Sequence, residues 1–302
     1  MDTSRNPYLN VDSICSRVGF VRLTQMLFGC ATFSLVLHRA GFTAAYGTFC
    51  IFVWCFCFAM TTLIVVCELT RLQSCLRGLS WGNFTATLAM LAALMTLTAA
   101  VIYPLYFVSL KCTSTDCATR NYRLAVSVSA VLLFVAYSVE VFLTRARPGM
   151  SCSYMATASG LLKVVQAFVA CVIFGALATE SQYKKYVATQ WCVAVYSFCF
   201  AITVLVIILN ITGRAVTLRC PFEHIVVIYT VVAILMYMSA AVIWPVYCFD
   251  SKYGSSTRPT HCPWGRCPWD SQLVVTIFTL INLTLYIADL VYTQRLRFVA
   301  HP

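Results

Sequence analysis

The sequence repeats one ordered set of residues, and both copies lie inside long apolar segments. The first four members, Gly19, Arg22, Gln25 and Cys30, recur 141 positions later as Gly160, Lys163, Gln166 and Cys171. In the same order, FCFA at 56–59 recurs at 198–201, AVIYP at 100–104 recurs as AVIWP at 241–245, and Tyr137 and Glu140 recur as Tyr286 and Asp289. Because the order holds across four separate apolar segments, we infer a duplicated four-helix unit.

Composition places the chain among membrane proteins. Its 302 residues are 61% hydrophobic and 10% charged, with a mean hydropathy of +0.82, whereas soluble domains carry roughly 25% charged residues. About 20 apolar residues suffice for a helix to cross a bilayer. Eight such segments are predicted, at 18–37, 46–69, 84–108, 122–143, 160–179, 190–210, 225–247 and 273–292. The sequence thus predicts an all-α membrane protein with eight transmembrane helices, arranged as two tandem four-helix bundles in parallel orientation.

The predicted spans leave no room for a soluble domain, and they set the domain boundaries. We expect a cytosolic N-terminal segment at 1–17, a first four-helix domain at 18–145 and a cytosolic linker at 146–158. A second four-helix domain at 159–295 and a cytosolic C-terminal tail at 296–302 follow. The linker contains Pro148 and Gly149, which prevent the fourth helix from running into the fifth. The first apolar segment is too long for a cleaved signal peptide and is expected to be retained.

The basic residues favour one orientation in the membrane. An even number of spans puts both termini on the same side. If that side is the cytosol, 12 of the 21 Lys and Arg residues lie at the inner ends and 9 lie in outer loops, which is the positive-inside bias. We therefore expect an integral protein of the plasma membrane or a vesicular membrane with both termini in the cytosol. The formal net charge of the chain is +11, and its basic residues lie at helix ends, in short loops. Nucleic acid is therefore not an expected partner, whereas anionic lipid at the membrane surface is.

Two loops of equivalent position each carry a pair of cysteines. Cys112 and Cys117 follow the third span, and Cys262 and Cys267 follow the seventh, with the same spacing. Both loops are outer in this orientation, where oxidation is allowed, so we predict one disulfide in each loop. Zinc held by the four thiolates is the alternative.

A second group of cysteines lies near inner helix ends beside basic residues. Reversible palmitoylation occurs in such places. The candidates are Cys15, Cys75, Cys152 and Cys220.

Opposite charges recur inside the spans of both halves. Arg22 and Lys163 lie on the first helix of each half, and Glu140 and Asp289 lie on the fourth. We predict two structural pairs, Arg22 with Glu140 and Lys163 with Asp289, that clamp helices near the cytosolic interface, where the charged groups can reach out by snorkelling. Glu68 and Asn210 end the second helix of each half. The alternative is a proton or ion relay, for which the sequence lacks ionisable groups in series across the membrane.

The sequence contains none of the common catalytic motifs. It has no phosphate-binding loop, no Gly-x-Ser-x-Gly turn and no His-Glu-x-x-His pair, which argues against the common hydrolases and nucleotide enzymes. Its four histidines lie at helix ends, in loops or at the terminus. We therefore predict no enzyme activity, no cofactor, no catalytic residue and no bound metal. An unusual intramembrane enzyme remains an alternative.

Several strings along almost the whole chain resemble the myeloid-associated differentiation marker family, whose members carry tandem MARVEL domains. The strings are WCFCF at 54–58, SWGNF at 80–84, TRARPG at 144–149, YMAT at 154–157, WCVAVY at 191–196, WP at 244–245 and FDSKYG at 249–254. The resemblance implies that both four-helix units are MARVEL-like. It also implies a non-enzymatic protein that organises membrane microdomains or trafficking through lateral contacts with cholesterol-rich or anionic lipids and with other membrane proteins. The alternative is a transporter or channel with a pathway between the two halves.

Overall fold

Long helices make up most of the computed structural model, which describes residues 10–76, 78–108, 117–145, 154–178, 182–217, 222–262 and 267–300. The chain divides into two compact units, Met1–Ala146 and Arg147–Pro302. Eight helices in the described ranges are long and apolar enough to cross a membrane. The predicted all-α fold and its eight spans are confirmed. The parallel arrangement of two bundles and the domain boundaries stay predictions.

The first unit is a ring of four long helices preceded by a short one. Its helices are α1 (Val11–Cys15), α2 (Arg17–Leu35), α3 (Ala44–Leu69), α4 (Trp81–Phe107) and α5 (Cys117–Thr144). Helix α2 packs against α3 and α5, and α4 packs against α3 and α5. A π-helical turn, Val36–Ala40, continues α2 and ends at Gly41, whose φ of 77° favours glycine. A 3-10 turn at Leu72–Ser74 follows α3.

The second unit repeats this ring. Its helices are α6 (Ala158–Ala178), α7 (Val187–Ile211), α8 (Phe222–Phe249) and α9 (Pro268–Ala300). Its 3-10 turns are Tyr154–Ala156, Gln182–Lys185 and Arg214–Thr217. Helix α6 packs against α7 and α9, and α8 packs against α7 and α9. Helix α9 runs to Ala300, so most of the predicted C-terminal tail is helical.

An exchange of aromatic residues shows how closely the two cores correspond. In the first unit, Trp54 of α3 meets Tyr103 of α4 edge to face, with ring centroids 5.4 Å apart. In the second unit, Tyr196 of α7 meets Trp244 of α8 in the same way, at 6.4 Å. All four side chains are buried. The indole lies on the second long helix of the first unit and on the third long helix of the second unit, and the phenol takes the other position. The exchange keeps the total volume of the two side chains the same in both units.

The first repeated residue, Gly19 or Gly160, is required by a close backbone approach. A Cβ atom on Gly19 would overlap the carbonyl oxygens of Ser13 and Ile14 in α1. One on Gly160 would overlap the backbone of Tyr154 and Met155. In each unit the chain just before the first span therefore folds back onto the start of that span, and only glycine leaves room for it.

We expect Gly160→Ala to lower the stability of the protein by about 1–3 kcal/mol, because the added methyl group meets backbone atoms that cannot rotate away. Gly175→Ala, in the same helix, is the matched control. A Cβ there meets nothing within 4 Å, and alanine favours the helix by up to about 1 kcal/mol. Thermal unfolding of the detergent-solubilised variants measures both changes. Equal melting temperatures for Gly160→Ala and the parent protein would contradict the packing argument.

Candidate functional site

The structure brings together the two pairs of opposite charges that the sequence singles out. In the first unit, Arg22 Nε lies 2.7 Å from Glu140 Oε1, joining α2 to α5. In the second, Lys163 Nζ lies 2.7 Å from Asp289 Oδ2, joining α6 to α9. All four residues are buried within their own unit. Lys163 is 0% exposed, so the expectation that its charged group reaches the interface by snorkelling is wrong. Partners inside the unit satisfy the ammonium group instead.

The first unit adds a second carboxylate that the sequence did not assign to the pair. Arg22 Nη1 lies 2.6 Å from Glu68 Oε2, so one guanidinium joins two acids. The hydroxyl of Ser13 and the indole of Trp81 donate to the same carboxylate, each at 3.0 Å. Glu68 therefore ties α1 and α4 to the charge pair. We name this set, Arg22, Glu68 and Glu140, the first polar layer.

The N-terminal segment is held against the end of α3 by the backbone as well. The amide of Asn10 donates to the carbonyl oxygen of Leu69 at 2.8 Å. Such a bond satisfies one of the carbonyl groups that a helix end leaves without an intrahelical partner. The short helix α1 is thus part of the first unit's packing, although the predicted four-helix domain begins only at residue 18.

The second unit surrounds its charge pair with hydroxyl groups and aromatic rings. Lys163 Nζ donates to Thr230 Oγ1 at 3.1 Å and lies 5.2 Å and 5.5 Å from the ring centroids of Tyr229 and Tyr286. The hydroxyl of Ser159 donates to Asp289. We name Lys163 and Asp289, with these neighbours, the second polar layer.

Asn210, which aligns with Glu68, does not supply a second acid to the second polar layer. Its side-chain amide donates at 2.8 Å to the carbonyl oxygen of Val206, one turn earlier in the same helix. The residue types match these environments. Arginine, with several nitrogen donors, meets two carboxylates, and lysine, with one ammonium, meets one.

A glutamine in each unit belongs to these layers, and sequence reasoning gave it no role. Gln25 Nε2 donates to Glu140 at 2.8 Å and to the carbonyl oxygen of Ala136 at 3.4 Å. Gln166 Nε2 makes the same two contacts, to Asp289 at 3.5 Å and to the carbonyl oxygen of Leu285 at 3.4 Å. The signal was available, because Gln25 and Gln166 recur at the same offset as the cations.

A tyrosine lies about one helical turn before each acid and connects the polar layers to the second long helix of each unit, α3 or α7. Tyr137 shares a 2.7 Å hydrogen bond with Thr61, and Tyr286 shares a 2.9 Å bond with Thr203. In the second unit Tyr229 joins this group, 2.7 Å from Thr203 and 3.1 Å from Tyr286. These contacts join α3 to α5 in the first core, and they join α7, α8 and α9 in the second.

The second core carries two further polar pairs. Asn282 donates to Tyr237 at 2.7 Å, and Tyr196 meets Thr279 at 2.8 Å. All four side chains are buried. These hydrogen bonds lie outside the second polar layer, and the sequence did not indicate them.

The loop between α8 and α9 is held by covalent and ionic contacts. Cys262 and Cys267 form a disulfide. Arg258 donates to both carboxylate oxygens of Asp270, from Nε at 2.8 Å and from Nη2 at 3.0 Å. This hydrogen bonding raises the pKa of the Arg258 guanidinium above its usual value. Between the loop and the ends of α7, α8 and α9 lies a cavity of about 280 Å³.

The structure describes only some of the cysteines for which the sequence predicted a disulfide or palmitoylation. Cys117 is disulfide-bonded, but Cys112 lies outside the described residues, so their pairing stays a prediction. Cys15 and Cys75 are free and exposed. The other palmitoylation candidates, Cys152 and Cys220, also lie outside the described residues. Within the part of the chain that is described, no three His, Cys, Asp or Glu side chains come together to hold a metal ion.

Comparison with known proteins identifies similar chains. Residues 154–292, in the second unit, match the MARVEL family, described as a membrane-associating domain. Myeloid-associated differentiation marker-like protein 2 of Xenopus laevis is 79% identical over 300 residues, covering 99% of both chains. The protein of that name from Homo sapiens is 60% identical, covering 99% of this chain and 98% of the relative. Myeloid-associated differentiation marker of Homo sapiens is 40% identical, covering 93% and 88%. No solved structure matches.

Proposed function

Because the chain belongs to the myeloid-associated differentiation marker family, and is an integral multi-pass membrane protein with a membrane-associating MARVEL domain, we propose that it organises membrane microdomains or membrane trafficking. It would act through lateral contacts with lipids and other membrane proteins, and it would catalyse no reaction. Both termini would lie in the cytosol, in the plasma membrane or a vesicular membrane.

The observation that carries this proposal is the direction of the side chains. Large apolar residues point out of the units, among them Phe20, Leu27, Leu105 and Phe142, each at least 70% exposed. The ionisable groups of the polar layers point inward instead. The surface that the spans offer is therefore suited to lipid chains and to the apolar faces of other membrane helices.

The partners of the polar layers support a structural role for them. Arg22, Glu140, Lys163 and Asp289 are all engaged in bonds between helices of one unit. An ion pair that is desolvated and hydrogen-bonded in this way fixes which helices meet and in which register. We infer that the pairs clamp the bundles, so that lateral contact remains the activity of the outer surface.

The cytosolic ends add an electrostatic contribution. In the proposed orientation, 12 basic residues lie at the inner ends of the spans, and ten of them lie outside the polar layers that bury Arg22 and Lys163. Basic residues close to a membrane surface attract anionic lipid by about 1 kcal/mol each. The cholesterol-rich lipids that the family resemblance implies would be contacted by the apolar faces.

Proximity labelling in a native membrane, combined with lipid analysis of the purified protein, tests this function. We expect a reproducible set of neighbouring membrane proteins and an enrichment of particular lipids over the bulk membrane. An unrelated eight-span protein at the same expression level is the control. In parallel, solute flux is measured in liposomes. Flux through the protein, with no neighbours or lipids above the control, would replace this proposal with the transporter or channel alternative.

A further inference from the structure

We propose that the cavity at the loop end of the second unit binds a phosphocholine headgroup. The inference rests on the proposed function, because it names one class of lipid partner. Six aromatic side chains contribute to the walls, namely Tyr183, Tyr186, Trp244, Tyr247, Tyr253 and Trp269.

The aromatic residues form a built wall, and not only a belt facing lipid. The ring centroids of Tyr186 and Tyr247 are 5.3 Å apart, and those of Tyr247 and Tyr253 are 4.8 Å apart. The Tyr186 hydroxyl donates to the carbonyl oxygen of Tyr253 at 3.0 Å. Trp244 is 1% exposed, so its indole turns inward, away from the position that interfacial tryptophan usually takes. The cavity is therefore held in shape before any ligand arrives.

The side chains that line the cavity determine which kind of cation it can bind. The described residues that line the cavity include no Asp or Glu, so a metal ion or a strongly hydrated ammonium would find no counter-charge there. A quaternary ammonium is weakly hydrated and is bound by the faces of aromatic rings. The walls thus favour a methylated ammonium group.

Positive charge lies directly beside the aromatic wall. Lys185 lines the cavity, and its Nζ is 5.2 Å from the ring centroid of Tyr186. Lys252 Nζ is 5.4 Å from the ring centroid of Tyr253. These lysines are exposed, so they can reach an anionic group at the cavity mouth. Phosphocholine carries the required combination, a phosphate next to a quaternary ammonium.

Position and size indicate a lipid headgroup. The cavity lies where the spans His224–Phe249 and Pro268–Gln294 meet their connecting loop, and span ends lie at the depth of the headgroups. A volume of about 280 Å³ is at the small end for ligand pockets. It suits a headgroup whose acyl chains stay in the bilayer, and it is too small for a whole lipid.

Titration of the purified full-length protein, in a detergent without a choline group, tests the site. The probes are phosphocholine, phosphoethanolamine, tetramethylammonium and inorganic phosphate, and the signal is tryptophan fluorescence with calorimetry as a second readout. We expect saturable binding of phosphocholine, at least about tenfold tighter than phosphoethanolamine, because the primary ammonium loses more hydration. Tetramethylammonium and phosphate alone should each bind more weakly than phosphocholine.

Variants separate the two halves of the site. Tyr253→Leu should weaken phosphocholine binding about tenfold, and Tyr253→Phe, which keeps the ring, should not. Lys185→Gln should weaken phosphocholine binding but should not weaken tetramethylammonium binding, because it removes a cation that lies 5.2 Å from the Tyr186 ring. Lys184→Gln is the matched control for charge, because Lys184 does not line the cavity. Tyr106→Leu, at the position in the first unit that corresponds to Tyr247, is the control for loss of an interfacial tyrosine.

The source of the headgroup is resolved by comparing phosphocholine with a short-chain phosphatidylcholine. Tighter binding of the lipid supports a membrane lipid as ligand, and equal binding supports the free headgroup. Equal affinity for phosphocholine and phosphoethanolamine, or no binding of either by a protein that melts normally, would overturn the site. Neighbours and lipids enriched in the native membrane would then still support the proposed function, so the two failures are distinguishable.

Discussion

Asp289→Asn is expected to destabilise the protein by about 3–5 kcal/mol, since it leaves the Lys163 ammonium buried without its counter-ion. Lys163 and Asp289 are 0% and 1% exposed, and their charged atoms are 2.7 Å apart. Thr230 and two tyrosine rings remain near the ammonium, but none of them carries a negative charge. The loss should appear as a large fall in the melting temperature and in the yield of folded protein.

A second substitution distinguishes loss of the charge balance from loss of packing. Lys163→Met in the Asp289→Asn background removes both charges and keeps an oxygen that accepts from Ser159. Replacing a whole buried ion pair by groups of similar volume is often neutral or stabilising, so the double variant should recover most of the lost stability. The matched control is Asp270→Asn. Its partner Arg258 is 2.8 Å away, close to the distance in the buried pair, but the side chains of Arg258 and Asp270 are 31% and 33% exposed. That change should move the melting temperature little. A double variant no more stable than Asp289→Asn would contradict the clamp.

The pairing of these charges could be predicted from the sequence because the repeat carries the information. Arg22 and Lys163 change residue type, as do Glu140 and Asp289, yet each position keeps the sign of its charge. A charge inside a span is costly unless it is paired. The hydropathy pattern is equally direct, since a helix must satisfy its own backbone inside the bilayer. The spans therefore follow from the local hydropathy pattern, and the pairs follow from the repeat.

The contacts of Glu68 and Ser13 with the first polar layer could not be predicted, because they depend on the rotation of each helix and on the packing of α1. Glu68 lies at the end of α3, and nothing in its local sequence says that it faces Arg22 and not solvent. The folding back of α1, which brings Ser13 to the same carboxylate, is set by the packing at Gly19. Gln25 is different, because it lies three residues after Arg22 on the same helix face and recurs with it in the repeat, so the sequence does carry a signal for it.

The cavity in the second unit illustrates a different limit. Its walls come from three helix ends and a loop that the disulfide between Cys262 and Cys267 holds in place. The sequence predicted the disulfide, but it did not indicate that aromatic side chains gather beside it. Their convergence is a property of the tertiary fold, since residues such as Tyr186 and Trp269 are far apart along the chain.

Arg22→Lys is expected to destabilise the first unit by about 1.5–3 kcal/mol, although it keeps the charge. Arg22 uses two different nitrogens, Nε toward Glu140 at 2.7 Å and Nη1 toward Glu68 at 2.6 Å. Lysine has a single nitrogen and cannot reproduce this fork, so one carboxylate loses a charged hydrogen bond worth about 1.5–3 kcal/mol. Thermal unfolding in detergent measures the change. Reversing Arg22 and Glu140 together is not an equivalent test, because an acid at position 22 would then face Glu68.

Glu68→Gln should rescue Arg22→Lys, because it gives the first polar layer the composition of the second, one ammonium and one carboxylate. In the parent protein, Trp81 donates to Glu68 Oε1 and Ser13 donates to Glu68 Oε2. The glutamine oxygen can still accept from Trp81, and its amide group can donate to the Ser13 hydroxyl, so both α1 and α4 keep a hydrogen bond to residue 68. Glu68→Gln alone is the control and should be milder than Arg22→Lys, since Arg22 still pairs with Glu140. If Arg22→Lys/Glu68→Gln melts no higher than Arg22→Lys, the number of acids does not determine the choice of cation. If it melts higher, the arginine of one unit and the lysine of the other are each explained by the carboxylates they face.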